Sequence, residues 1–286
     1  MQASHVISSR NRAAQLGVTL RKLECEAMRR RSVELVLVDS ASNDNTFEVM
    51  TAFAAQAPMA TRVARADRPG AGIGRNLGIA TATHDLLIFS DDDCYPEPGY
   101  YDRILDQFDF SQYQYGQGEI LLFDPSDDSR IATTKFAQEM RIPPQSIIRA
   151  GGFQSANMFA HRKVFEKAGL FAEDLGPGTG FICEDVEFAT RASFAGFTGV
   201  ILPSWSVRHH HGRKPGSRES EDALRSYDVG RGAYYAILMT RGINEIWELW
   251  QQTSLAQAPM PLWLKVRLER EFRGAADYLK HQLDCS

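Results

Sequence analysis

The sequence predicts an α/β protein: a doubly wound, mostly parallel sheet followed by a C-terminal helical appendage. Three observations predict it. Short apolar runs alternate with amphipathic helical stretches through the first two thirds of the chain. Residues 33–38 and 86–89 are near-continuous apolar runs of the kind found in strands buried on both faces. From Ser217 onward the pattern is helical, with no further strand signal.

His5-Val6-Ile7 opens the series as a first strand, and a Leu- and Arg-rich helix is expected over residues 13–30. The second strand, 33–38, runs into Asp39-Ser40-Ala41-Ser42-Asn43-Asp44. There Asn45, with Glu48 three residues on, predicts the capped start of a helix carrying Phe47, Val49, Met50 and Phe53. A short third strand is expected at 63–66, a Gly-rich turn at 70–76 and a helix at 76–83. The strand at 86–89 then stops at Ser90-Asp91-Asp92-Asp93. Both acidic loops therefore fall at the carboxyl edge of the sheet, where open α/β sheets collect their ligands.

The middle of the chain is less regular. A strand near 118–123, a helix near 128–141 and a strand near 155–159 are expected, with antiparallel additions to the sheet. A Gly-rich loop, 176–180, precedes a helix opening at Glu184-Asp185, and a strand at 198–202 leads into Val207-Arg208-His209-His210-His211. The organisation expected is one domain over residues 1–216 and a helical appendage over 217–286. The appendage has Trp247, Trp250, Trp263 and Tyr278 interleaved with Arg and Lys.

Composition narrows the classes. With 286 residues, 43% apolar and 24% charged, the chain is an ordinary globular protein. Its 36 acidic residues against 32 basic ones give a net charge of −4, so no nucleic-acid partner is expected. The longest uncharged run, 249–264, contains Gln251, Gln252, Pro259 and Pro261 and falls short of the ~18 apolar residues of a membrane-spanning helix. The first residues lack the apolar core of a secretory signal, so a cytoplasmic location is expected. The aromatic and basic tail suits packing against the first domain or peripheral contact with the inner face of a membrane. Cys25, Cys94, Cys183 and Cys285 are scattered without a C-x-x-C spacing, which favours reduced thiols.

Four constellations could carry chemistry. Asp91, Asp92 and Asp93 repel one another, and a bound divalent cation such as Mg²⁺ or Mn²⁺ is the simplest way to keep them ionised; a solvated turn before Pro96 and Pro98 is the alternative. Gly70, Gly72 and Gly74 fail the dinucleotide pattern, because Arg75 stands where its third glycine belongs. They leave either a turn that brings Arg75 to a base or phosphate, or a flexible loop. Glu184-Asp185 at a helix start is stabilised in its ionised form by the helix dipole, and is either functional or a cap. If extended, His209 and His211 share one side and His210 the other, so either of the pair could bind a metal or a phosphate, against a solvated basic loop with Arg208, Arg213 and Lys214.

In this order the stretches resemble the family 2 glycosyltransferases, which have the nucleotide-sugar-binding glycosyltransferase A fold. Val38-Asp39-Ser40-Ala41-Ser42-Asn43-Asp44-Asn45-Thr46 is similar to the family's V-D-D-G-S-T-D-G-T loop, and Gly70 through Arg75-Asn76 to Gly78 to its G-x-x-x-A-R-N-x-G stretch. Asp91-Asp92-Asp93 resembles its D-x-D motif, Glu184-Asp185 its E-D motif, and His209 its late V-x-H histidine. The resemblance covers roughly residues 5–212. The family's first loop reads P-T-Y-N-R where this chain has Ser8-Ser9-Arg10-Asn11-Arg12, without the aromatic residue, and Ser40 replaces a second Asp.

The resemblance implies a metal-dependent, inverting, hexosyltransferase-like enzyme of glycan or polysaccharide synthesis. It implies donor contacts from Ser9, Arg10, Asp39, Arg75, Asp91 and Asp92, and Mn²⁺ or Mg²⁺ on Asp93 with His209 or His211. Asp185 is the implied catalytic base, with Glu184 beside it. The implied partners are a nucleoside-diphosphate sugar, a UDP-sugar ahead of a GDP-sugar, and a glycan or lipid-linked acceptor hydroxyl. Two other readings stay open: a nucleotidyltransferase acting on a sugar phosphate, and a catalytically inactive nucleotide- or glycan-binding module. Against the first, residues 8–12 contain no glycine to hold a triphosphate; against the second, Asp93 and Asp185 are both present.

Overall fold

The computed structural model describes residues 1–27, 32–255 and 259–284. Its first half alternates β1 (Ala3–Ser9), α1 (Ala13–Ala27), β2 (Val33–Asp39), α2 (Thr46–Ala54), β3 (Thr61–Arg65), α3 (Ala71–Thr81) and β4 (Leu86–Asp91). The end of the helix expected over 13–30 lies outside the described residues. There follow β5 (Cys94–Pro96), α4 (Tyr100–Gln107), β6 (Tyr115–Leu122), β7 (Met140–Ile142), β8 (Asn157–His161), α5 (Arg162–Ala168), α6 (Glu184–Phe194) and β9 (Gly199–His209). The last described stretch is helical: α7 (Arg218–Thr240), α8 (Glu245–Leu255) and α9 (Leu262–Asp284).

The strands form one sheet in the order β3-β2-β1-β4-β8-β6-β9-β5, with β7 also paired to β9. From β3 to β4 every pairing is parallel, as the buried apolar runs predict; β8 is antiparallel to both its neighbours, and β5 and β7 to β9. Alternation explains why those runs are apolar at every position. In β2, Val36 and Val38 enter a core beneath α6 and α7, while Leu35 and Leu37 enter a second core beneath α1 and α4. The parallel strands also end in step: Ser9 pairs with Asp39, Ser8 with Asp91, and Asp39 with Arg65. Five polar residues thus line one edge of the sheet.

Several local expectations are corrected. The Gly-rich segment 70–76 is helix rather than turn, since α3 begins at Ala71. Its glycines serve close packing: a Cβ on Gly74 would run into Ser8 Oγ, and one on Gly78 into Val6. No helix forms over 128–141. Ile131, Thr133 and Thr134 are β-branched, Asp128 accepts from the Arg130 amide and guanidinium, and Thr134 bridges to Ile120 instead. At α2 the side chain of Asn45 makes no capping bond. Asp44 accepts from Thr46 N–H at 3.0 Å and from Ala13 N–H at 3.3 Å, joining the starts of two helices.

The strand expected at 198–202 continues to His209 as β9, whose pairing with β6 jumps from Leu202 to Ser206 so that Pro203 sits in a bulge. The short β5 was unreadable beside Pro96 and Pro98, yet it sets Cys94 opposite His209. In the helical segment Trp250 and Tyr278 are buried with the sheet's own core, whereas Trp247 and Trp263 are exposed. Among the described residues no helix is long and apolar enough to cross a membrane.

Candidate active site

A cleft of about 880 Å³ opens at the carboxyl edge of the parallel strands. Of the eleven residues singled out in the sequence, nine line it: Ser9, Arg10, Arg75, Asp91, Asp92, Asp93, Glu184, Asp185 and His209. Asp39 and His211 do not. Asp39 is fully buried, takes the Ser42 N–H at 3.2 Å and pairs with Arg65 at 3.0 Å.

The turn Asp92-Asp93 joins β4 to β5, and the β5 pairing with β9 brings His209 beside it. Asp93 Oδ1 lies 3.2 Å from His209 Nε2, and its Oδ2 accepts from Arg12 Nη2 at 2.6 Å. Burial alone would raise the Asp93 pKa, but the hydrogen bond and charge of His209, with Arg12, outweigh it and bring it down to about 2. Asp92 differs. It pairs with Arg12 Nε at 2.9 Å and accepts from the Ser9 hydroxyl, yet burial prevails over Arg12 and the Asp93 charge adds to it, raising Asp92 to about 7. Arg12 therefore holds two of the three crowded carboxylates, and Ser9 is committed to one of them. Arg10 is exposed at the rim.

Asp91, Asp93, Cys94 and His209 place one ligand atom each within 4.8 Å of one another. Cys94 is buried, and burial first, then the neighbouring aspartates, push its thiol well above the usual range, so it stays protonated and is no ligand for a hard ion. Two carboxylates and an imidazole remain, a donor set that fits Mn²⁺ or Mg²⁺. His209 Nδ1 lies 3.3 Å from the Ala132 carbonyl, which leaves Nε2 free to ligate when Nδ1 carries the proton. His211 falls outside the group: its Nδ1 accepts from the Arg213 amide, and its Nε2 is buried without a partner.

On the opposite side, Arg75 is buried between Glu184 Oε1 at 2.7 Å and Asp91 Oδ1 at 3.4 Å. Glu184 is buried, and its Oε2 has no hydrogen-bond partner among the described residues. Asp185 is the second residue of α6, where its oxygens accept from Val186 N–H at 2.7 Å and Ser155 N–H at 3.1 Å. Its position deep in the cleft, and next the charge of Glu184, outweigh Arg75 and both amides and raise its pKa to about 7. A carboxylate tuned to neutrality is suited to proton transfer.

Residues 4–170 match the family described as glycosyl transferase family 2. The chain belongs to that family. Glycosyltransferase AglE of Haloferax volcanii is 23% identical over 238 residues, covering 83% of this chain and 75% of that one. Among solved structures, S. aureus TarS 1-349 in complex with UDP-GlcNAc matches with a TM-score of 0.61 at 15% identity, over 98% of this chain and 81% of its own. Mannosyltransferase PcManGT from Pyrobaculum calidifontis, in complex with GDP-Man and Mn²⁺, matches with a TM-score of 0.61 at 14% identity, over 97% and 87%. The chain spans 65% of the TarS 1-349 chain and 42% of a longer TarS chain in two further structures.

This family 2 glycosyltransferase thus has the glycosyltransferase A fold with helices added at its C-terminal end. Among the cleft residues not singled out in the sequence are Arg12, Ala132 and Tyr227. Arg12 stands in the first loop but reveals its role only through its distant aspartates. Ala132 is distinguished by a backbone φ of 41°, which no local pattern announces. Tyr227 comes from α7, beyond the family match, and burial, with Asp185 and Asp91 opposing Arg213, raises its hydroxyl to about 12.

Proposed function

We propose that this enzyme transfers a sugar from a nucleoside-diphosphate sugar to an acceptor hydroxyl with inversion at the anomeric carbon, in glycan or polysaccharide synthesis. The observation that carries the reading is that Asp185, with its raised pKa, shares one cleft with the Asp91, Asp93 and His209 group. Asp185 takes the proton of the acceptor hydroxyl as its oxygen bonds to the anomeric carbon, and the bond from that carbon to the diphosphate oxygen breaks. Such a base contributes ~10²–10⁴ in rate. One carboxylate suffices for a single displacement, so the paired carboxylates of a glycosidase are not required.

Asp93, Asp91 and His209 would hold Mn²⁺ or Mg²⁺, which when bound offsets the negative charge of the departing diphosphate. Ser9, Arg10, Arg75 and Asp92 are assigned to the donor side, Ser9 and Arg75 by positioning aspartates and Glu184, while Asp39, buried on Ser42 and Arg65, would act there by shaping its loop. Arg12 keeps Asp92 and Asp93 in place. A UDP-sugar is favoured over a GDP-sugar, a choice supported by the TarS complexes with UDP-GlcNAc and UDP and opposed by the PcManGT complex with GDP-Man. The proposed location is cytoplasmic. Peripheral membrane contact would use exposed Trp247, Trp263 and Phe272, with Leu262, Leu279 and Leu283.

The test is product analysis. Incubation with a nucleotide sugar and Mn²⁺ is expected to release nucleoside diphosphate without pyrophosphate, and proton NMR of the product to show the opposite anomeric configuration. Pyrophosphate release would favour nucleotidyl transfer, and a retained configuration would remove Asp185 from its role.

A further inference from the structure

The cleft has a wall that the donor and metal residues do not account for. Glu219, Asp222, Ala223, Ser226, Tyr227 and Arg231 line it from α7, at the three- and four-residue spacing of one helix face. Another face of the same helix, with Ala233, Tyr234 and Ile237, is buried in the core. The helix is held against the base-bearing loop by close approach. Gly230 is buried, and a Cβ there would collide with the Ile182 carbonyl, two residues before Glu184.

We propose that this face of α7 is the acceptor subsite and that it takes an uncharged polyhydroxyl acceptor, a sugar unit bearing neither phosphate nor carboxylate. The inference rests on the glycosyl-transfer reading above. Its first support is charge. Arg130 and Arg231 also line this part of the cleft, but each is already paired, Arg130 with Asp128 at 2.7 Å and Glu221 at 3.1 Å, Arg231 with Glu271 at 2.9 Å and Asp228 at 3.0 Å. Glu219 and Asp222 face the cleft as carboxylates. Among the described residues Asp222 has only the long pairs with exposed Arg218 and Arg225, at 3.6 and 3.7 Å. An anionic acceptor would meet two like charges here, whereas sugar hydroxyls donate hydrogen bonds to carboxylates.

Glu184 provides independent support. Its Oε2 is buried without a partner, its side chain is 3% exposed, and it lines the same cleft beside the base. A buried acceptor left unpaired costs free energy until a donor reaches it, and a substrate hydroxyl is such a donor. Tyr227 and Ser226 add hydroxyls that both donate and accept, and Tyr227 adds a ring edge for a sugar to pack on. Arg213 also lines the cleft, where its charge acts on Tyr227, so this wall sets one cation against the two carboxylates.

The test supplies UDP-GlcNAc and GDP-mannose separately with Mn²⁺, and as acceptors methyl glycosides of common hexoses, their 6-phosphates and methyl uronates. Wild type is expected to use neutral glycosides with kcat/KM at least tenfold above the charged ones. Tyr227→Phe is expected to raise acceptor KM about tenfold while calorimetry finds nucleotide Kd unchanged. Glu219→Lys and Asp222→Lys, both at exposed positions, are expected to raise kcat/KM for the 6-phosphates at least tenfold. A wild type that prefers phosphorylated acceptors, or variants that leave acceptor KM unmoved, would overturn the subsite. So would nucleoside diphosphate release with no transfer to any neutral glycoside, which leaves the proposed function standing; failure to bind or turn over either nucleotide sugar overturns both.

Discussion

His209 Nε2 lies 3.2 Å from Asp93 Oδ1, on the far side of that carboxylate from Arg12, whose Nη2 donates to Oδ2 at 2.6 Å. The last residue of β9 and the turn residue before β5 are thus joined by side chains, next to the register pairing of Cys94 with His209. His210 N–H also donates to the Asp93 carbonyl at 2.9 Å. The geometry at the proposed metal position is therefore set by backbone pairing, and loss of either side chain removes a ligand without removing the frame.

His209→Ala and Asp93→Asn are each expected to weaken Mn²⁺ binding by at least ~100-fold, since even residues that only orient ligands commonly cost 10–100-fold. Calorimetric titration with Mn²⁺ checks this. The same experiment on His211→Ala is expected to give a near-normal affinity, because that ring lies outside the ligand group.

Arg12→Gln leaves Asp92 and Asp93 buried without their shared cation. The Arg12 side chain is 40% exposed, so solvent screens part of the loss, and about 1–3 kcal/mol of stability is expected to go in the presence of EDTA. Thermal melting reads this as a Tm lower by several degrees, and saturating Mn²⁺ is expected to recover part of it.

Asp185 gives a pH dependence of fixed sign. Its folded pKa, about 7, is above the ordinary carboxylate value, so between about pH 4 and 7 the folded state holds a proton that the unfolded chain has released. The stability this group contributes is present at low pH and lost as pH rises through 7. Activity is expected to run the other way, increasing through an apparent pKa near 7 as the base ionises. Asp185→Asn is accordingly expected to lower kcat by ~10²–10⁴ while raising Tm at pH 8. A pH-rate profile and melting curves of wild type and variant at pH 5 and 8 check both.

Much of this site was legible because its parts are local. Asp39, Asp91 and the aspartates after it end apolar strand runs, and Glu184-Asp185 begins a helix after a Gly-rich loop, so sequence pattern alone puts them at the sheet edge and helix start. What could not be read is who faces whom. Arg75, which the resemblance puts beside a nucleotide, lines the cleft while buried between Glu184 and Asp91, partners that only the fold brings together. The helix expected over 128–141 fails for a related reason: Asp128 is engaged by Ser220 and the segment bridges to β6, long-range bonds that outweigh a weak local preference. Tyr227 carried no local signal, since a tyrosine on an amphipathic helix ordinarily belongs to a core.

Arg75→Met tests the structural side of that pairing. Removing one partner of a buried ion pair leaves Glu184 uncompensated, and roughly 3–5 kcal/mol of destabilisation is expected. Adding Glu184→Gln is expected to recover a substantial part of it. Urea unfolding of both single variants and the double variant measures the coupling.

The most direct test of the central claim is an anomalous-scattering map from a crystal soaked with Mn²⁺ and UDP. A manganese peak bonded to Asp93 and His209 is expected, with the diphosphate beside it and Asp185 open to the same cleft. A cleft without manganese, or UDP bound away from Asp93, would contradict that claim.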